Sequence, residues 1–214
     1  MNVAVLIDGF NLYHSMENNM YRKYKWLNFS KLFRNYANSR DKLEIHYFTT
    51  INYEDILDFK INKEKSEGKL KRHLALIKAQ ESYGVIVHYG YFKDTAFICE
   101  KCGHKTIIRK EKQTDVSMGS YLAYLAFSRN IDKFIILSAD TDLLSAIKLV
   151  KENTTDKRID LLLPPGVIRS DISDHCENTF ILREDVLRNS LFPPIFENKN
   201  NEKIVCPKEW NYLR

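Results

Sequence analysis

Two apolar runs in this chain end in acidic residues. Val3-Ala4-Val5-Leu6-Ile7 leads into Asp8, with Gly9 and Asn11 close behind, and Phe134-Ile135-Ile136-Leu137 leads into Ser138-Ala139-Asp140-Thr141-Asp142. An unbroken apolar run of this length fits a strand covered on both faces, as in a parallel sheet sandwiched between helices. In open α/β sheets the ligand site lies beyond the carboxyl ends of the strands. Two buried strands that deliver carboxylates to one crevice point to a divalent-cation site, and through it to phosphate chemistry.

The rest of the chain supports that architecture. Further strand-like runs fall at 43–51, 85–91 and 159–163. Helical spacing of apolar residues marks Ser30 to Ala37, Leu70 to Tyr83, Thr114 to Phe127 and Asp142 to Val150. Strands alternating with helices imply right-handed βαβ units and a mostly parallel sheet with helices on both sides. Residues 1–194 read as one domain. Residues 92–110 read as a small hairpin insertion around Cys99 and Cys102, and 195–214 as a polar tail whose aromatics dock it on the body.

Asp115 opens the predicted helix at 114–127, so Asp8, Asp115, Asp140 and Asp142 all map to one edge of the sheet. Asp115 and Asp142 also stand where helix caps are common, which is their bland reading. Four carboxylates on one edge repel one another unless a cation neutralises them. Mg²⁺ or Mn²⁺ would fit, because such ions take oxygen ligands from few side chains and leave room for substrate phosphate. Asn11, Lys112 and Ser138 are the candidate substrate contacts beside them. Their plainer roles are a helix cap, an exposed lysine and a strand-end cap. The chain has neither a GxGxxG nor a P-loop pattern, which weighs against a dinucleotide or ATP enzyme.

The segments Val-Leu-Ile-Asp8-Gly-Phe-Asn11-Leu, Glu111-Lys112-Gln-Thr-Asp115-Val and Leu-Ser138-Ala-Asp140-Thr-Asp142-Leu resemble the NYN domain family, within it the bacterial LabA-like group of the PIN-like nuclease superfamily. The resemblance runs in order over about residues 1–190. It implies a three-layer PIN-like α/β fold and Mg²⁺- or Mn²⁺-dependent hydrolysis of RNA. It places the family's acidic positions on Asp8, Asp115, Asp140 and Asp142, and its polar position on Asn11. Ala139 stands where the family often has Gly.

Cys99-x-x-Cys102-Gly103 is half of a zinc knuckle, since a closed structural site needs four ligands. His104, His88, His175, Cys176 and Cys206 are the further candidates within the chain. A matching pair from a second copy would also complete a Cys₄ site, which makes a homodimer an expectation. The alternative is an ordinary hairpin with two free thiols.

Charge is uneven. Residues 60–112 hold 13 Lys and Arg against 6 Asp and Glu, a surplus of seven, whereas the whole chain carries only +5. That basic stretch also holds Tyr83, Tyr89, Tyr91 and Phe92, a mixture suited to the backbone and bases of single-stranded RNA. Tyr89 reads as core-facing on its strand. No apolar run is long enough to span a membrane, and the first residues lack a signal-peptide pattern, so the expectation is a soluble cytoplasmic protein. The expected activity is endoribonuclease cleavage. The alternatives are a non-catalytic RNA- or protein-binding module and a metal-dependent DNA nuclease.

Overall fold

A computed structural model describes residues 1–18, 20–51, 63–98 and 100–211. Among them, seven strands form one sheet in the order β4-β3-β2-β1-β5-β6-β7. These are β1 Asn2–Asp8, β2 Lys42–Thr50, β3 Ile86–Ile98, β4 Lys105–Lys112, β5 Lys133–Leu137, β6 Arg158–Leu163 and β7 Asn178–Ile181. All neighbours pair parallel except β3 and β4. The helices are α1 Gly9–Ser15, α2 Phe29–Phe33, α3 Lys63–Glu81, α4 Thr114–Ser128, α5 Leu144–Asn153 and α6 Glu184–Asn189. None of them is long and apolar enough to cross a membrane.

β1 lies at the centre, and its pleat explains its composition. Val3, Val5 and Ile7 join a core with residues of α1, α2, α3 and α6, such as Leu12, Leu32, Ile77 and Leu187. Ala4 and Leu6 point the other way, into a core with Met118 and Leu122 of α4 and Ile147 of α5. Because side chains alternate across a strand, covering both faces requires apolar residues at every position. The expected three layers therefore follow from one central strand.

The chain runs from β1 outward to β2 and β3, then returns to start β5 on the other side of β1. The crevice between β1 and β5 is thus the topological switch point, where α/β sheets bind ligands. The register pairs Ile7 with Leu137, so Asp8 and Ser138 follow side by side. Both continue the parity of Leu6 and Ile136, which face α4 and α5.

β3 changes partner midway. Residues 86–90 pair parallel with β2, and residues 91–98 pair antiparallel with β4. Gly90 marks the change: a Cβ there would lie 2.5 Å from Thr114 Oγ1 and 2.7 Å from Thr50 Oγ1. Burial falls off towards this side of the sheet, and no residue of β3 is buried. Tyr89, expected in the core, is accordingly 52% exposed.

Beyond the sheet, β8 Ile195–Glu197 and β9 Lys203–Val205 form a two-stranded antiparallel ribbon. Ile204, Cys206 and Trp210 pack with Trp26, Phe192 and Leu76 in a third apolar cluster. The indole of Trp26 donates to the carbonyl of Pro193 at 3.1 Å.

Candidate functional site

Asp8 ends β1 and is nearly fully buried. Its Oδ1 accepts the backbone N–H of Asn11 at 2.8 Å, which caps α1. Its Oδ2 accepts the hydroxyl of Ser138 at 2.9 Å. Gly9 is needed directly after it, since a Cβ there would stand 2.5 Å from the carbonyl oxygen of Phe48. Burial pushes the Asp8 carboxyl up to about 6; the bonds from Asn11 and Ser138 oppose that rise, and the charges of Asp115 and Asp140 add to it.

Asp140 reaches the same point from β5. Its backbone N–H donates to Ser138 Oγ at 3.0 Å, and its Oδ1 accepts the N–H of Asp142 at 2.9 Å, opening the turn that leads into α5. Asp115 arrives from α4. Gln113 adopts a left-handed conformation, with φ of 76°, as the chain swings from β4 into that helix. Such a conformation is costly for a residue with a side chain and recurs at functional sites. Thr114 is buried behind Asp115 and shares a hydrogen bond of 3.1 Å with Thr50, tying the helix start to the edge of β2.

Carboxylate oxygens of Asp8, Asp115 and Asp140 lie within 4.8 Å of one another. One is buried, one half-buried and one exposed, so the group forms a floor with an open top. The donor set suits a hard divalent cation: three carboxylates, all oxygen, with no thiolate or imidazole among them. Burial, and to a smaller degree the charges of Asp115 and Asp140, disfavour a bare Asp8 carboxylate, and a bound cation would offset both.

The other expected residues fall as follows. Asp142 is exposed, in the turn after Asp140, and is not one of the three clustered carboxylates. Asn11 contributes its backbone N–H to Asp8. Lys112 is exposed at the end of β4, three residues before Asp115. Ser138, expected as a substrate contact, is 0% exposed and spends its hydroxyl on Asp8 and Asp140, so it stands behind the carboxylates and positions them. Position alone hinted at this, because a small polar residue directly after a buried apolar strand needs a partner at its end. Gln113, Thr114 and Gly90 carried no such signal.

Cys99 lies outside the described residues, so the paired-cysteine expectation falls outside them as well. Cys102 is exposed. Of the more distant zinc candidates, His88 is hydrogen-bonded to His46 at 2.9 Å and stacked on Phe48, and Cys206 is buried in the tail cluster.

A mostly parallel three-layer sheet, with acidic residues gathered at its switch point, defines a PIN-like α/β protein with a candidate metal site. The match to the NYN domain over residues 2–183 gives the family: the chain belongs to the NYN domain family, within the PIN-like nuclease superfamily. The fold is also similar to the crystal structure of a protein of unknown function, VPA0982, from Vibrio parahaemolyticus. The two share 16% identity and a TM-score of 0.53, over 89% of this chain and 96% of the other. No curated protein matches the sequence.

Proposed function

We propose that the protein is a divalent-metal-dependent endoribonuclease of the LabA-like branch, acting on single-stranded RNA in the cytoplasm. The observation that carries this is the convergence of Asp8, Asp115 and Asp140 within 4.8 Å at the switch point of a NYN fold. Asp8 and Asp140 would hold Mg²⁺ or Mn²⁺ together with Asp115. A divalent cation at such a site neutralises phosphate charge and activates water for hydrolysis. Ser138 bonds the Asp8 carboxylate and the backbone of Asp140, linking the two strand ends. Asp142, exposed beside Asp140, would orient a water, and the exposed Lys112 would meet a phosphate. The basic stretch that includes α3 favours a polyanion as substrate.

The same reading keeps a structural zinc between β3 and β4 on Cys99 and Cys102, shared with a second copy. Metal analysis of the Cys99→Ser/Cys102→Ser variant tests it: an unchanged zinc content would exclude that pair.

The central test is cleavage of single-stranded RNA by the purified protein with Mn²⁺ or Mg²⁺. Activity should vanish in EDTA and in Asp8→Asn and Asp140→Asn, with circular dichroism unchanged. RNA bound but left intact would instead favour a binding module, and preferential cutting of DNA would favour a DNA nuclease.

A further inference from the structure

We propose that the cleft between α1, β2 and α3, lined also by Trp210, is a nucleobase pocket that seats a base next to the scissile phosphate. The proposal rests on the ribonuclease reading and names a specificity site for it.

The cleft holds about 600 Å³, within the roughly 300–1,000 Å³ typical of small-ligand sites. None of the three clustered carboxylates lines it, but two of its wall residues neighbour them. Gly9, in its wall, directly follows Asp8, and Thr50, also in its wall, is hydrogen-bonded to Thr114 beside Asp115. A chain whose phosphate lies over the carboxylates would therefore have the cleft within reach of a neighbouring nucleotide.

The walls suit a flat, aromatic, polar-edged guest. Phe10, Tyr13, Tyr47, Phe92 and Trp210 supply ring surface, and base–aromatic stacking is the usual grip on single-stranded nucleic acid. Thr49 and His73 share a hydrogen bond of 3.1 Å in the same wall. Burial lowers the His73 imidazole to about 4, so at neutral pH it is uncharged, with one donor and one acceptor nitrogen. Neutral donors and acceptors read base edges, whereas phosphate calls for charge.

The charged residues of the cleft are largely matched to one another. Arg72 pairs with Glu209 at 2.8 Å, which ties the segment carrying Trp210 to α3 at the cleft wall. Lys25 pairs with Glu17 and lies over the ring of Tyr13 at 4.0 Å. The positive surplus falls to Arg22 and Lys69, both exposed, as suits a backbone passing the rim.

Tryptophan fluorescence tests the proposal, since Trp210 lines the cleft and Trp26, the other tryptophan, packed in the same apolar cluster, does not. The full chain, in EDTA, is titrated with AMP, CMP, GMP, UMP and ribose 5-phosphate. At least one nucleotide should change the signal and bind ten or more times tighter than ribose 5-phosphate, with the signal lost in Trp210→Phe. Phe10→Ala, at an exposed position, should weaken every nucleotide about tenfold. His73→Phe should weaken the preferred one about tenfold, and His73→Gln should restore part of that loss. If no nucleotide outbinds ribose 5-phosphate, or if Phe10→Ala and His73→Phe both leave affinities unchanged, the pocket is refuted. RNA cleavage is assayed in parallel. Cleavage with base-blind binding would overturn the pocket alone, and base binding without cleavage would overturn the nuclease reading alone.

Discussion

The hydroxyl of Ser138 donates to Asp8 Oδ2 at 2.9 Å, across the seam between β1 and β5. Ser138 Oγ in turn accepts the backbone N–H of Asp140 at 3.0 Å, so one buried side chain links the two strand ends that carry candidate metal ligands.

Ser138→Ala should therefore weaken metal binding without removing a ligand. Supporting groups behind metal ligands typically contribute about 10–100-fold in affinity or activity. Calorimetry with Mn²⁺ should show a loss in that range. The fold should also lose about 1–3 kcal/mol, because the Asp140 N–H is left unsatisfied. Affinity within twofold of the wild type would show that the serine is incidental.

Asp8 should make the metal-free protein less stable at neutral pH. Its carboxyl is raised from 3.8 to about 6 in the folded state, so folding holds its proton more tightly than the unfolded chain does. The penalty is absent below pH 3.8, grows as pH rises towards 6 and is complete above it, at about 3 kcal/mol. Asp8→Asn should thus raise the melting temperature in EDTA at pH 7.5, with the gain shrinking to nothing near pH 4. The comparison with wild type is essential, because His73, lowered to about 4, works in the opposite direction, destabilising the fold as pH falls from 6.5. Mn²⁺ should stabilise wild type and leave Asp8→Asn unmoved.

Gly90→Ala should disturb the site from outside it. The added Cβ would press on Thr114 at 2.5 Å and on the carbonyl of Lys112 at 2.8 Å, shifting the start of α4 and with it Asp115. Overpacking of this kind costs about 1–3 kcal/mol. Denaturation should show that cost, and cleavage should fall even under conditions where the variant is fully folded.

Lys69 and Arg72 should separate in their effects, although they are three residues apart on α3. Lys69 is exposed at the rim, so Lys69→Ala should flatten the log–log salt dependence of RNA binding by about 0.7. Arg72 is committed to Glu209, so Arg72→Ala should mainly loosen the segment around Trp210, seen as faster proteolysis there. An equal change in salt slope for both variants would show that each meets phosphate.

The sequence by itself determined the central layer and the strand-end acids. A strand covered on both faces must be largely apolar, so β1 and β5 stand out as unbroken runs and β6 as a run interrupted only by the buried Asp160, and Asp8 and Asp140 stand out as the acids just beyond the first two. β7 did not, because Asn178–Ile181 is exposed and lacks that imprint. Only the tertiary structure decided how the acids meet. Parallel register set Ser138 beside Asp8, the left-handed turn at Gln113 aimed α4, and the switch between β1 and β5 opened the crevice. It alone also brought Trp210, His73 and Phe10 into one cleft. These relations join residues far apart in the chain through packing and pleat parity, and neither leaves a period in the local sequence.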